Sequence, residues 1–104
     1  DITLKAAAIH ARNIAKQYDC AVVWMSQLSA EAEGRADLNQ AMMEGSKTGK
    51  AAEADLMLLI GKTQQAEGEE EDPIRYLNIA KNKLNGFQGK ITCQLDGSRS
   101  LYTA

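Results

Sequence analysis

Cysteine, histidine and long apolar runs are all scarce in this 104-residue chain, and each scarcity excludes a class of protein. Cys20 and Cys93 each lie within an apolar run, with no partner cysteine or histidine at metal-binding spacing. We therefore expect two buried free thiols in a reducing, cytoplasmic compartment, without a disulfide framework or a bound metal. No run approaches the roughly 18 apolar residues of a membrane span, and no signal-peptide pattern begins the chain. The expected protein has no membrane partner.

The single histidine and the charge balance exclude two further classes of site. His10 has no visible triad of Ser, Cys or Asp near it, so we interpret it as a residue on a helix surface. The 12 basic and 14 acidic residues give a net charge of −2, which excludes a generally basic coat for nucleic acid and leaves only local contacts. Because the chain begins at Asp1 with a helical pattern already under way, we expect residues 1–104 to be a single partial domain.

Two patterns near the amino end indicate an α/β fold. Apolar residues recur at spacings of three and four from Ile2 to Tyr18, which predicts an amphipathic helix. Residues 21–28 are apolar without alternation until Ser26 and Gln27, which predicts a strand buried on both faces of a parallel sheet. Because ligands bind at the carboxyl ends of such strands, Ser26 and Gln27 are the first candidates for contact with a substrate or cofactor.

The second half of the chain has the composition of further strands. Leu56 to Ile60 predicts a second strand buried on both faces. Residues 63–73 include four consecutive acidic residues and predict a solvated, disordered loop. Turn residues after this loop separate three short predicted strands: Arg75 to Ala80, Lys90 to Leu95 and Ser100 to Thr103.

A pair of lysines follows the first of these short strands. Lys81 and Lys83 precede a turn that contains Gly86 and Gly89. Alternate residues of an extended segment project on the same side, so the two cations are expected to lie together. Such a pair suits a polyphosphate or a nucleic-acid backbone. The alternative is a solvated edge strand that lysines protect from pairing.

These motifs, taken in order, resemble the C-terminal half of the RecA-like motor domain of DnaB-type replicative hexameric helicases. The resemblance depends on three motifs and their order: Ser26-Gln27-Leu28 after an apolar run, Ala54-Asp55 before an apolar run, and Lys81-Asn82-Lys83 before two glycines. The nine-residue spacing from Lys81 to Gly89 looks more like the phage primase-helicase branch than the bacterial one. The resemblance implies the C-terminal part of a RecA-like P-loop ATPase core, with buried parallel strands and trailing antiparallel strands.

The resemblance also implies a function and a role for each motif. It implies a homo-hexameric ring that uses ATP and Mg²⁺ to translocate on single-stranded DNA and unwind duplex during replication. Gln27, beside Ser26, would match the glutamine that senses the γ-phosphate, since an amide can bond both a phosphate oxygen and a loop backbone. Lys81 and Lys83 would match the pair that reaches a neighbouring subunit's ATP. The family usually has an arginine finger at the position of Lys83, and a lysine supplies a point charge in place of a planar fork.

The loop between the two predicted buried strands would match the family's DNA-binding loop. Its candidate residues are Ser46, Lys47, Thr48, Gly49 and Lys50, with Arg35 as a weaker candidate. Two cations, two hydroxyls and glycine-freed amides can follow a phosphate backbone without reading bases; the alternative is a flexible surface loop. Gly45 to Lys50 cannot be a Walker loop, because three residues rather than four separate its glycines and Ala51 follows Lys50.

The Walker motifs are expected upstream of Asp1, so this chain alone should not hydrolyse ATP. Two other functions remain open. One is a RecA-like recombinase or other ring or filament ATPase, and the other is a small non-enzymatic module that binds nucleic acid.

Overall fold

The computed structural model describes residues 2–42, 53–64, 68 and 72–104. The chain begins with helix α1, Ile2–Tyr18, which confirms the helix predicted from the apolar spacing. The helix ends because Asp19 adopts a positive φ of 49° and the Cys20 amide donates to the Ala15 carbonyl at 3.0 Å. That bond closes the last turn in the manner of a Schellman motif. His10 is exposed on this helix, as predicted.

The remaining regular structure is a four-stranded antiparallel meander. Its strands occur in the sheet in chain order: β1 Leu56–Gly61, β2 Ile74–Asn82, β3 Gly89–Asp96 and β4 Leu101–Thr103. Four of the five predicted strands are confirmed with end shifts of a residue or two. Two short 3-10 helices, Ala30–Ala32 and Gln40–Met42, lie in the long connection between α1 and β1. The fold is therefore α/β, but every pair of strands that the described residues form is antiparallel.

The predicted parallel strand at residues 21–28 is not present in the structure. Residues 21–27 belong to no strand, and Val23 and Met25 are 86% and 89% exposed. An apolar run becomes a strand buried on both faces only where neighbouring strands pair with its backbone and helices cover its two faces, and residues 21–27 are not part of such a sheet among the described residues. Cys20, at the start of this segment, is consequently exposed rather than buried, while Cys93 is partly buried; both thiols are free.

Strand β1 is buried on one face only, which corrects the prediction of a strand buried on both. Met57 and Leu59 are each 5% exposed, whereas Leu58 and Ile60 are about half exposed. The connection before β1 covers the buried face and supplies the rest of the core: Ala32, Leu38 and Met42, with Leu28, Ala54 and Ala80 at its margin. The other face of β1 has no comparable cover within the described residues.

Two further predictions concern loops and membranes. The predicted acidic loop at residues 63–73 lies largely outside the described residues, which include only 63, 64, 68, 72 and 73 of it. Among the described residues, no helix combines the length and apolar character needed to cross a bilayer.

Candidate functional site

Lys81 and Lys83 lie where β2 ends beside the start of β1. Lys81 is the register partner of Met57, and a β-bulge follows at once, because the next pair joins Leu58 to Ile79. The Lys83 amide donates to the Asp55 carbonyl at 2.8 Å. Backbone pairing therefore fixes both lysines against the residues that lead into β1.

Two acidic residues and an arginine complete a charged cluster around this point. Arg12 of α1 donates through Nη1 to Asp55 Oδ1 at 2.9 Å and to the Glu53 carbonyl at 3.1 Å. Arg12 Nε also lies 4.0 Å from Glu53 Oε2. We call Arg12, Glu53, Asp55, Lys81 and Lys83 the strand-entry cluster; its three cations and two carboxylates leave a net charge of +1.

The pKa values in the strand-entry cluster reflect its crowding. The pKa of Lys81 lies below its ordinary value because partial burial and the charge of Lys83 both disfavour its protonated form, which Asp55 partly offsets. The pKa of Asp55 is lowered chiefly by the hydrogen bond from Arg12, with smaller effects from the charges of Arg12, Lys83 and Lys81. The hydrogen bond to Asp55 raises the pKa of Arg12 in turn. An anion bound beside Lys81 would favour its charged form.

The turn after Lys83 is built by two asparagines that sequence reasoning missed. Asn82 Oδ1 accepts from the amides of Leu84 and Asn85 at 3.0 and 3.3 Å, and Asn82 Nδ2 donates to Asn85 Oδ1 at 2.7 Å. Gly86 adopts a φ of 80°, as a tight turn requires of a residue without Cβ. The predicted glycine turn is thus confirmed at Gly86, and side-chain hydrogen bonds of the Asx type add to its order.

Ser26 and Gln27 are exposed and precede Leu28. Leu28 and residues 60–62 line the same depression of about 350 Å³ at the carboxyl end of β1. Lys81 lies opposite Met57 near the other end of that strand, and four strand residues span about 13 Å. The structure therefore brings Lys81 and Lys83 together but does not bring Ser26 and Gln27 to them.

The predicted DNA-binding residues receive little structural description. The prediction for Ser46, Lys47, Thr48, Gly49 and Lys50 lies outside the described residues. Arg35 is exposed, and its amide donates to the Ala32 carbonyl at 3.3 Å. Its own carbonyl packs against Gly61, where an added Cβ would lie 2.5 Å from the oxygen. Arg35 therefore projects from a backbone that is fixed against β1.

A second set of polar contacts, also missed from the sequence, fixes the connection before β1 to the sheet. Gln40 Nε2 donates to the Ala80 carbonyl at 3.3 Å, and Lys90 Nζ forms an ion pair with Asp37 at 2.8 Å. Lys90 Nζ also lies 5.3 Å from the centre of the Tyr76 ring. Residues 37–41 and 88–90 thereby border a groove of about 620 Å³ on β2.

Among the described residues, no group of three or more His, Cys, Asp or Glu side chains is placed to hold a metal ion. A scan against models of known protein families gives no match for this chain, and neither does a search of curated proteins. The likeness to helicases accordingly depends on the sequence motifs.

Proposed function

We propose that this chain is the C-terminal part of a RecA-like motor domain in a cytoplasmic, DnaB-type replicative DNA helicase. In this proposal a homo-hexameric ring hydrolyses ATP, moves along single-stranded DNA and unwinds duplex. The chain supplies the phosphate sensor, a DNA-binding loop and a pair of cations for the neighbouring subunit's nucleotide. The phosphate loop and the main Mg²⁺–ATP site belong to residues outside this chain.

The observation that carries the proposal is the geometry of Lys81 and Lys83. Strand pairing and the bond from the Lys83 amide to Asp55 hold the backbone of the two lysines in place beside the start of β1. A rigid cation aimed at transferred phosphate stabilises the charge that develops in the transition state without reorganising. Lys81 is partly buried, and its pKa is lowered by that burial and by the charge of Lys83, so an incoming phosphate would relieve the repulsion between the two lysines.

The positions of Ser26 and Gln27 are compatible with contacts to a different nucleotide from the one that Lys81 and Lys83 contact. Gln27 directly precedes Leu28, which lies toward the carboxyl end of β1, whereas Lys81 lies near the start of that strand. The two groups are therefore poorly placed to contact one phosphate. In the proposed ring, Gln27 contacts the γ-phosphate of its own subunit, while Lys81 and Lys83 contact the phosphate held by the neighbour. Arg35 and residues 46–50 contact the DNA backbone.

The exposed apolar segment at residues 22–25 also supports a larger domain. Four consecutive large apolar side chains are between 42% and 89% exposed, which is unusual for the surface of a monomer. We propose that this segment is a parallel strand of the complete RecA-like sheet, where strands from outside this chain pair with it and helices cover its faces.

The test uses the complete protein that contains this chain. Lys81→Ala should lower the DNA-stimulated rate of ATP hydrolysis by about 10³-fold, the lower range for loss of a charge-stabilising finger, while fluorescent-nucleotide binding stays nearly intact. Lys16→Ala is the matched control, because it removes the same charge from an exposed position on α1. A loss of nucleotide binding without loss of assembly would contradict the role of Lys81 at the neighbour's site.

A complementation assay then tests whether Lys81 acts between subunits. Subunits with Lys81→Ala are mixed with subunits whose phosphate loop is disabled, neither of which should be active alone. Mixed rings should recover hydrolysis wherever an intact phosphate loop meets an intact Lys81. If the complete protein has no phosphate loop, the helicase proposal fails and the lysine pair becomes a candidate nucleic-acid contact of a binding module.

A further inference from the structure

The contacts of Asp55 join three elements of the strand-entry cluster. Its carboxylate accepts from Arg12 of α1 at 2.9 Å, and its carbonyl accepts from the Lys83 amide at 2.8 Å. Asp55 itself directly precedes β1. One residue thereby connects the helix, the first strand and the end of the second.

Arg12 restrains this segment at two successive points. The same Nη1 atom donates to the Glu53 carbonyl at 3.1 Å and to the Asp55 carboxylate. A guanidinium bound to both a backbone carbonyl and a side chain restricts rotation of the chain between them, since its planar donors have fixed directions. The Asp55 carbonyl, which accepts the hydrogen bond from the Lys83 amide, therefore has a fixed position relative to α1.

We infer that Asp55 is a positioning residue for the lysine pair, and that the Arg12–Asp55 ion pair sets where Lys81 and Lys83 present their charges. This inference rests on the proposed function, in which those lysines stabilise charge on the neighbour's phosphate. Asp55 touches neither nucleotide nor phosphate in this arrangement; it acts through the backbone of Lys83 and through its own charge.

The charge of Asp55 adds a second effect to the backbone bond. Burial and Lys83 lower the pKa of Lys81, while Asp55 and Glu53 raise it. A carboxylate beside two neighbouring cations reduces their mutual repulsion and lets both stay protonated at close range. Asp55 thus favours the spacing and the charge state that contact with a phosphate requires.

The test compares Asp55→Asn with Asp37→Asn in the complete protein. Asp55→Asn keeps the backbone carbonyl and the side-chain volume but weakens the bond to Arg12. Asp37→Asn weakens an ion pair of similar length, 2.8 Å to Lys90, on another part of the sheet. Asp55→Asn should lower kcat for ATP about 10- to 100-fold, as small misplacements of a reacting group do, with KM little changed. Asp37→Asn should leave both parameters unchanged.

A charge swap separates positioning from a loss of fold. The double variant Arg12→Asp, Asp55→Arg restores an ion pair with the two charges exchanged, and it should recover part of the lost kcat. Arg12→Gln and Asp55→Asn together should cost little more than either alone, because both remove one interaction. A thermal melt of each variant reports folding independently of turnover.

The outcomes distinguish this inference from the function on which it rests. If Lys81→Ala lowers kcat and Asp55→Asn does not, the positioning role is wrong while the helicase proposal stands. If Asp55→Asn lowers only the melting temperature, and kcat per folded protein is unchanged, the ion pair is merely structural and the inference is overturned. If Lys81→Ala itself has no effect on turnover, the proposed function fails.

Discussion

The side chain of Asn78 on β2 replaces a missing backbone partner for Leu38 in the connection before β1. Asn78 Oδ1 accepts from the Leu38 amide at 3.2 Å, and Nδ2 donates to the Ala36 carbonyl at 2.9 Å. Asn78 and Leu38 are both buried, with 5% and 8% of their surfaces exposed. One amide side chain therefore satisfies a donor and an acceptor of a loop that crosses the buried face of the sheet.

Replacing Asn78 by Ala should lower the free energy of unfolding by about 1–3 kcal/mol, the cost of leaving buried polar groups unsatisfied. Asn78→Asp should not recover this loss, because it places a buried carboxylate oxygen against the Ala36 and Tyr76 carbonyl oxygens, to which Asn78 Nδ2 donates. Urea denaturation measures both. Asn13→Ala on the exposed face of α1 is the control and should change stability little; an equal loss there would contradict the assigned role of Asn78.

Gly61 is a second point of close contact between this loop and β1. An added Cβ would lie 2.5 Å from the Arg35 carbonyl oxygen and 3.1 Å from Leu38 Cδ1. Gly61→Ala should therefore destabilise the fold by about 1–3 kcal/mol, because backbone must shift to admit the methyl group. Gly97→Ala is the matched control, since nothing lies within 4 Å of its Cβ position. Thermal melts of the two variants should differ, and equal melts would exclude the predicted clash.

The elements that the sequence predicted well are those specified by neighbouring residues. The alanine-rich stripe of α1 repeats over 17 residues, so its periodicity alone predicts the helix. Turn signals around Gly86 and Gly97 likewise separate β2, β3 and β4 without reference to distant parts of the chain. The proximity of Lys81 and Lys83 follows from their spacing in the same way.

The predictions that failed concern burial, which depends on distant neighbours. The run at residues 21–28 and the run in β1 are both continuously apolar, but whether such a run is covered depends on elements far along the chain. The Arg12–Asp55 and Asn78–Leu38 bonds join residues 43 and 40 positions apart. No local pattern distinguishes these polar residues from others on a strand or helix, so the positioning part of the site could not be predicted.

The ion pair between Arg12 and Asp55 predicts a specific acid titration. The hydrogen bond and charge of Arg12, with the charges of Lys83 and Lys81, place the pKa of Asp55 below its ordinary value of 3.8. Because the folded-state pKa is lowered, the pair's contribution to stability is present above pH 3.8 and is lost as the pH falls through the lowered pKa. Carboxyl NMR should place the Asp55 midpoint below 3.8 and, in Arg12→Gln, nearer that value.

Arg99→Gln provides the control for this titration. Arg99 lies in the turn between β3 and β4, where its Nε is 4.0 Å from Asp96. The variant removes the same charge as Arg12→Gln but no contact to Asp55. An Asp55 midpoint that moves equally in both variants would mean that overall charge, rather than the ion pair, determines the pKa.

The exposed apolar segment at residues 22–25 leads to a prediction about the 104-residue chain in isolation. Consecutive apolar side chains exposed to solvent promote association, so we expect the chain to self-associate in sedimentation velocity experiments. Val23→Lys with Met25→Lys should shift the distribution toward monomer, because these are the most exposed side chains of the segment. Leu84→Lys, at the 76% exposed position in the turn after β2, should have much less effect. A wild-type chain that stays monomeric would favour the self-sufficient binding module over a strand of a larger sheet.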